Sequence, residues 1–562
     1  MGDVGIYITG PTARNRTTQL DFADDLSLTR GKHQLKFGAD YRSIYLDLRP
    51  FASGLLYESL STSSLVTSGQ AFAVQGSIAK SADLLSRSTA LYGQDMWKVT
   101  PRLVFTYGVR WELSPAPSPR GATTVASWQN VNSPAALTLA PLGTPTWSTR
   151  YTNFAPRVGV IYSLTPSGDF VVRGGWGIFY DSASDSAGNL GGDFPNGSSQ
   201  VSLFVPLPLL NATSLIPSGI STQPPYGGTV EGFAPNLKLP RSYQWNVALE
   251  RSFGRGQSAS ATYVGQAGRD LLRQEGIPTP NANFSGPFDL TRNNARSNYN
   301  ALQIQYRRPL SNRVQALLNY TWSHSLDNAS GDTIPAISSA VIPAGNDYAS
   351  SDFDVRHSFS GALTYNIPSA GKQGLLAELT KDWSVDSVIV ARSGFPFNGS
   401  ILGAQIAGAN PRASRVPGQP LYIYGAQCGH VFGPVSQGGN GFLQLGQPCP
   451  GGKALNPAAF TAPAAGQQGT ERRNDIPGFG LSEVDFSLSR KFAITDHLNL
   501  QFRADAFNLF NHPNFANPEA FIGFGPSFLL SSAMLNQTIG GLNSLFQEGG
   551  PRSLQLSLKL SF

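Results

Sequence analysis

Apolar and polar residues alternate strictly over the last nine positions of the chain, from Leu554 to Phe562. Every second position holds leucine or phenylalanine, and the positions between them hold Gln555, Ser557, Lys559 and Ser561. This period of two is that of a β-strand with one apolar and one polar face. An uncovered apolar strand invites aggregation in a soluble protein, whereas the wall of a transmembrane β-barrel needs one face toward lipid and one toward water. The pattern therefore predicts a strand of such a wall.

The same alternation, bounded by turn residues, recurs along the whole chain and predicts fifteen strands. They comprise residues 15–30, 33–47, 88–99, 102–113, 154–164, 169–180, 241–252, 257–267, 297–308, 312–326, 353–367, 381–394, 480–492, 495–510 and 552–562. The strand 88–99 is ambiguous, because Leu91 and Tyr92 would place large residues on opposite faces. The predicted fold class is all-β, an antiparallel transmembrane outer-membrane β-barrel.

Short and long connections alternate between these strands. The short ones have hairpin-turn compositions, as in Thr29–Lys32 and Phe253–Gly256, with Gly at positions that suit tight turns. The long ones are residues 48–87, 114–153, 181–240, 268–296, 327–352, 395–479 and 511–551. Long loops without regular structure do not suit a compact soluble domain. Short periplasmic turns opposite long extracellular loops are typical of outer-membrane barrels, so the cell outer membrane is the expected location.

Composition agrees with this class of protein. Charged residues make up 14% of the 562 positions, against roughly 25% in typical globular domains. The sequence holds no run of about 18 apolar residues, so a transmembrane helix is not expected. The net charge of +6 is small for this length and is spread along the chain. Neither a nucleic-acid partner nor a polybasic membrane anchor is therefore expected.

The amino-terminal end does not suit a complete outer-membrane protein. The first residues, Met1–Val4, lack the basic start and apolar core of a secretory signal. An odd number of strands also departs from the even numbers of bacterial single-chain barrels. We therefore expect residues 1–14 to be the remnant of a truncated extracellular loop, and residues 15–562 to be a barrel domain whose first part is missing.

Six segments resemble the carboxy-terminal barrel of the TonB-dependent receptors of the Oar-like type. They are Leu91–Arg102, Phe154–Gly159, Asn300–Arg308, Asn319–Ser325, Asp352–Phe359 and Ala504–Phe515. The resemblance implies a barrel of about 22 strands around an internal plug, of which this chain would hold strands 8–22. It further implies an outer-membrane transporter or receptor for a bulky substrate, energised by the TonB complex through a plug absent from this sequence. A passive porin, or a barrel serving as a surface adhesion scaffold, is the alternative.

The last residues also resemble the signal read by the outer-membrane barrel assembly machinery. Gln555, Leu560 and Phe562 match that pattern, and Ser557 stands where glycine is usual. The resemblance implies that this machinery and outer-membrane lipid are partners of the chain.

The two cysteines, Cys428 and Cys449, lie in one segment rich in glycine and proline. In an oxidising compartment a disulfide between them is expected, with two free thiols as the alternative. Metal binding by the pair is not expected, because no second Cys or His cluster has zinc spacing.

Five titratable residues flank one predicted loop and could meet at its base: His324, Asp327, Asp352, Asp354 and His357. Such side chains could hold a metal ion, but rim residues that hydrogen-bond across strands explain them better. The sequence has no HExxH, GxSxG or phosphate-loop spacing. No catalytic, cofactor or metal site is therefore predicted, and the chain is not expected to be an enzyme.

Overall fold

The computed structural model describes residues 5–9, 13–59, 65–66, 68–181, 189–330, 337–339, 347–370, 374–401, 411–432, 436, 444, 446–449, 453–495, 497–518, 520–522, 529–531, 534–535 and 549–562. Its main body is a sheet in which fifteen long strands follow one another in chain order. These are β1 (Arg16–Arg30), β2 (His33–Leu48), β3 (Ala82–Thr100), β4 (Leu103–Leu113), β5 (Phe154–Ser163), β6 (Phe170–Tyr180), β7 (Arg241–Phe253), β8 (Gln257–Ile277), β9 (Phe288–Ser311), β10 (Val314–Asp327), β11 (His357–Asn366), β12 (Trp383–Arg392), β13 (Leu481–Ala493), β14 (Asn499–Phe507) and β15 (Ser553–Ser561).

We call this set of strands the wall. Each wall strand pairs antiparallel with the next, so the wall is an up-and-down meander. All fifteen predicted strands are confirmed. Among the described residues, no helix is long and apolar enough to cross a membrane.

The wall has one apolar and one polar face, as the alternation predicts. Directly opposed residues share a face, and the pair Trp176 and Trp245 lies on the apolar one. That face is open: Leu554 in β15 is 77% exposed. The ambiguous strand is also resolved, because Leu91 lies opposite Trp111 on the apolar face. Tyr92 instead lies on the polar face and donates a hydrogen bond to Asp25.

The polar face carries ion pairs within and between strands of the wall. Arg173 in β6 contacts Glu250 in β7 at 3.1 Å. In β14, the Arg503 Nε donates to Asp505 at 2.7 Å, and its Nη1 lies 3.6 Å from Asp386 in β12. These two arginines are therefore matched by carboxylates of the wall itself.

One predicted loop, 268–296, is wrong. Residues 268–277 and 288–296 extend β8 and β9 as a hairpin, and only residues 278–287 connect them. The pairing is irregular near Gly268 and Leu271, and beyond this point most β8 side chains are buried or half-buried without alternation. The sequence pattern failed here because neighbouring loops cover both faces, so the residues have no period of two. About 9–11 residues cross a bilayer as a strand, so this distal hairpin lies beyond the membrane-spanning part of the wall.

The other long connections hold further structure. A second sheet of four antiparallel strands joins Gly5–Thr9, Ser53–Ser59, Gln70–Ala79 and Gly197–Pro206. Shorter strands are Ser118–Pro119, Trp128–Gln129, Thr138–Leu139, Val230–Phe233, Ile337–Ser339, Ala349–Ser350, Pro396–Phe397, Ser400–Ile401, Ser414–Arg415, Tyr422–Tyr424, Lys453–Leu455, Phe460–Thr461, Ile476–Pro477 and Phe521–Ile522. The helix α1 (Leu375–Thr380) lies in the shorter connection between β11 and β12, and the helix α2 (Gln427–Val431) lies in the long connection between β12 and β13. The long loops thus form a folded layer at one edge of the wall, which we call the loop layer.

Candidate functional site in the loop layer

A cluster of aromatic side chains positions the central part of the loop layer. Trp128 is buried, and its ring centroid lies 4.9 Å from that of Phe288 and 5.6 Å from that of Phe284. Phe194 and Tyr226 pack against the same indole, at 5.8 and 5.7 Å. These rings come from three different connections and the distal hairpin. Tilted and edge-to-face ring packing of this kind adds to the stabilisation from burial, so the cluster orders chain segments that are distant in sequence.

A buried ionic network links three of the long connections at the base of the loop layer. Asp347, in the connection after β10, accepts from Arg273 of the distal hairpin at 2.9 Å and from Arg412 of the connection after β12 at 2.8 Å. The Arg273 side chain is 0% exposed. Arg473 similarly contacts Asp327 at 2.7 Å and Asp352 at 2.8 Å. Buried charges of this kind require partners, and here the partners come from separate loops.

The five residues considered as metal ligands do not converge. Asp327 and Asp352 both contact Arg473, while His357 receives a hydrogen bond of 2.8 Å from, or donates it to, the Tyr320 hydroxyl. Within the part of the chain that the structure describes, no group of three His, Cys, Asp or Glu side chains could hold a metal ion.

The remaining pair, His324 and Asp354, forms a local hydrogen-bonded set at the wall edge. Arg356 lies 2.7 Å from the His324 Nε2, and Asp354 lies 3.0 Å from its Nδ1. Because a guanidinium can only donate, Nε2 accepts and Nδ1 donates. The other Asp354 oxygen accepts from the Ser325 amide at 2.7 Å. This arrangement is that of rim residues hydrogen-bonding across strands.

A cavity of about 740 Å³ lies in the loop layer beside the Trp128 cluster. Three carboxylates line it: Asp193, Glu231 and Asp289. Glu231 and Asp289 lie directly opposite each other, because Val230–Phe233 pairs in parallel with the first residues of β9. Ile78 and Phe194 contribute apolar surface. Among the described residues that line this cavity, none is Lys, Arg or His.

Burial sets the electrostatics of this cavity. It raises the pKa of Asp289 to about 6, and the nearby Glu231 charge adds to the rise. Burial also raises the pKa of Asp193, again with a contribution from Glu231. The pKa of Glu231 itself is raised by burial and partly lowered by a 3.2 Å hydrogen bond from Gln274. The three acids therefore hold protons more readily than exposed carboxyls do.

A second compact unit of the loop layer lies between β12 and β13. Cys428 and Cys449 form a disulfide there, with Cα atoms 5.1 Å apart. Glu471, 2% exposed, accepts from the Gly399 amide at 3.0 Å. Burial raises the pKa of Glu471 to about 7. The disulfide and this carboxylate belong to the interior of a loop fold and do not line the large cavity.

The carboxy-terminal residues named as an assembly signal lie on the last strand. Gln555 stands opposite Asp505 on the polar face, and Leu560 opposite Leu500 on the apolar face. Phe562 follows the end of β15 and is fully exposed. Their role in assembly stays a prediction.

Sequence reasoning did not single out Asp193, Glu231 or Asp289. Asp193 and Glu231 lie far apart in one connection, Asp289 lies in the distal hairpin, and the three follow no motif spacing. The only sequence signal is the scarcity of acids, 35 in 562 residues, which makes three around one cavity unusual but does not locate them.

With this geometry in place, comparison with known proteins identifies the family. The model of the outer membrane beta barrel domain family matches residues 3–555. The chain belongs to this family, and it is an outer-membrane β-barrel domain. Its apolar face is therefore the lipid-facing one and its polar face the lumen-facing one. No curated protein sequence matches the chain significantly.

Solved structures with a similar arrangement include outer-membrane transporters and receptors. The outer membrane transporter YddB from Escherichia coli is 10% identical with a TM-score of 0.47, over 97% of this chain and 53% of that one. The siderophore receptor PiuA from Acinetobacter baumannii is 9% identical with a TM-score of 0.46, over 97% and 56%. FpvA of P. aeruginosa, solved with heterologous pyoverdines, is 11% identical with a TM-score of 0.43, over 97% and 48%. The chain spans about half the length of these proteins.

Proposed function

We propose that this chain is the barrel domain of a TonB-dependent outer-membrane transporter, which takes up a bulky substrate through energy relayed by the TonB complex. The coupling would act through a plug that is not part of this chain. The Oar-like sequence segments and the membership of an outer-membrane barrel family support this proposal. We infer that the loop layer is extracellular and the short turns periplasmic.

The folded loop layer is the observation that carries the proposal. An open diffusion pore needs a clear mouth, whereas here three connections are linked by the buried Arg273, Asp347 and Arg412 contacts. A receptor instead needs an ordered surface with a ligand-sized recess, and the 740 Å³ cavity has that size. A wide lumen would also leak without a plug.

Conductance in planar bilayers tests this function against the porin alternative. We expect the native full-length protein, purified from outer membranes, to give no steady ionic current, and its plug-deleted form to give large open channels. We also expect the native mass to be well above the 60.0 kDa of this chain. A native protein of 60.0 kDa that conducts continuously would overturn the proposal and establish a passive porin. A protein of that mass that does not conduct would establish a surface scaffold.

A further inference from the structure

We propose that the loop-layer cavity binds an organic cation, a protonated amine or guanidinium group carried on a partly apolar stem. That the cavity binds such a cation is inferred from the cavity alone. That this cation is the transported substrate rests also on the proposed function.

Asp289 is the side chain that points to a ligand. It is 5% exposed and lines the cavity, and it has no hydrogen-bond or ion-pair partner among the described residues. A buried carboxylate without a partner is costly. Glu231 stands opposite on the neighbouring strand, so the charge that needs compensation is concentrated at one place in the cavity.

Two buried acids elsewhere in the loop layer are matched by arginines of the chain itself. Asp347 has two arginine partners, at 2.9 and 2.8 Å, and Asp327 has Arg473 at 2.7 Å. The cavity has three carboxylates, and no cationic side chain lines it among the described residues. A bound cation would supply the charge that arginine supplies at the other sites.

An organic cation fits this cavity better than a metal ion. The described carboxylates do not group as metal ligands, and about 740 Å³ is far more space than one ion fills. Ile78 and Phe194 add apolar lining beside the acids. Small-molecule sites combine apolar walls with a few polar groups that orient the ligand, so the stem would contact these two side chains while its charged end contacts Asp289 and Glu231.

Proton binding gives the site a pH dependence. Burial raises the pKa of Asp289 to about 6, so this carboxyl is largely neutral at pH 5 and ionised at pH 8. Affinity for a cation should rise over this interval, because only the ionised form attracts it.

The test is calorimetric titration of the native full-length protein in detergent with agmatine, spermidine and Ca²⁺ as separate probes. We expect agmatine or spermidine to bind at pH 8, and at least tenfold more weakly at pH 5. The variants Asp289→Asn and Glu231→Gln should each weaken binding at least tenfold at pH 8. Asp386→Asn, on the lumen face of the wall, is the matched control and should leave binding unchanged.

Two variants keep the test decisive if one of them does not fold, and heat-modifiable gel migration reports folding of each. Absence of binding by both organic probes at millimolar concentration would overturn the inference. Equal binding by the parent and a folded cavity variant would also overturn it, as would binding of Ca²⁺ alone. The titration and the bilayer conductance experiment separate the two proposals. Cation binding by a protein whose conductance does not depend on a plug would refute the proposed transport. A barrel that conducts only after plug deletion but binds no cation would refute only the cavity inference.

Discussion

The lumen face of the wall and the cavity of the loop layer both hold carboxylates, and they differ in what faces those carboxylates. In the wall, Asp386 accepts from Thr364 at 2.7 Å and has Arg503 at 3.6 Å. In the cavity, Asp193, Glu231 and Asp289 have no cationic neighbour among the described lining residues. A carboxylate that is paired with an arginine has its charge compensated within the protein, whereas a carboxylate without a cationic neighbour leaves a charge that a ligand would compensate. The ionic network of Asp347 shows that the loop layer can also match buried charge where only structure is needed.

The largest loss of stability is expected where a buried ion pair is broken. Asp347→Asn would remove the carboxylate that lies 2.9 Å from the wholly buried guanidinium of Arg273, while Glu275 at 3.8 Å and the Asn328 carbonyl at 3.3 Å stay in place. Breaking a buried pair in this way costs about 3–5 kcal/mol. We expect the free energy of unfolding of the loop layer to fall by roughly 3 kcal/mol, measured by native-state proteolysis in increasing urea.

Asp352→Asn is the matched control for this experiment. Asp352 also pairs with an arginine, Arg473 at 2.8 Å, but its side chain is 64% exposed. Exposed pairs contribute less than about 1 kcal/mol. If Asp347→Asn were no more destabilising than Asp352→Asn, the buried network would not hold the loops together.

Removing a carboxylate charge from the cavity should change the free energy of unfolding of the loop layer in the opposite direction and stabilise it. The native state keeps the Asp289 proton up to pH about 6, whereas an unfolded aspartic acid loses it near pH 4. The native state therefore binds more protons between these values, and stability falls as pH rises through this window. Asp289→Asn should stabilise the loop layer by about 1–3 kcal/mol at pH 8 and leave it unchanged at pH 4.

The measurement is the same urea series carried out at pH 4 and pH 8 without added cations. A stabilisation of equal size at both values would mean that the introduced amide packs better than the carboxyl of Asp289, and that the removed charge has no effect. A loss of stability at pH 8 would mean that Asp289 has a favourable partner, and the contrast with the wall would disappear.

The wall was predictable from sequence and the cavity was not, for one physical reason. Successive residues of a wall strand face lipid and water in turn, so the alternation of apolar and polar residues, as at Leu554 and Gln555, indicates the two faces from local sequence alone. The distal half of β8 is covered on both faces and carries the buried Arg273, which has no such pattern. Glu231 and Asp289 meet only because a segment of one long connection pairs in parallel with the distal hairpin, and nothing local in either segment specifies that meeting. The family segments likewise lie mainly on wall strands and do not describe the loop layer.

A second loop acid sharpens the comparison with an expected effect of similar size. Burial raises the pKa of Glu471 to about 7, but its carboxylate keeps a 3.0 Å hydrogen bond from the Gly399 amide. Glu471→Gln removes the charge while retaining an acceptor oxygen for that amide. Stability should rise by about 1–3 kcal/mol at pH 8 and should not change at pH 4. Proteolysis within residues 411–479 is the measurement, and stabilisation at pH 4 alone would contradict the sign.

The smallest effect is expected for a matched acid in the wall. Asp386→Asn removes the charge that faces Arg503, whose Nε still contacts Asp505 at 2.7 Å, and the new amide can still accept from Thr364. Because Arg503 retains one carboxylate and is partly solvated, the loss should be below about 1 kcal/mol. Its sign is the opposite of that for Asp289→Asn at the same pH 8. A lower transition temperature in heat-modifiable gel migration, small but reproducible, is the expected readout. A higher transition temperature would mean that the Asp386 charge destabilises the wall, as the acids of the cavity are expected to destabilise the loop layer. Pairing with arginine would then not explain the difference between the wall and the cavity.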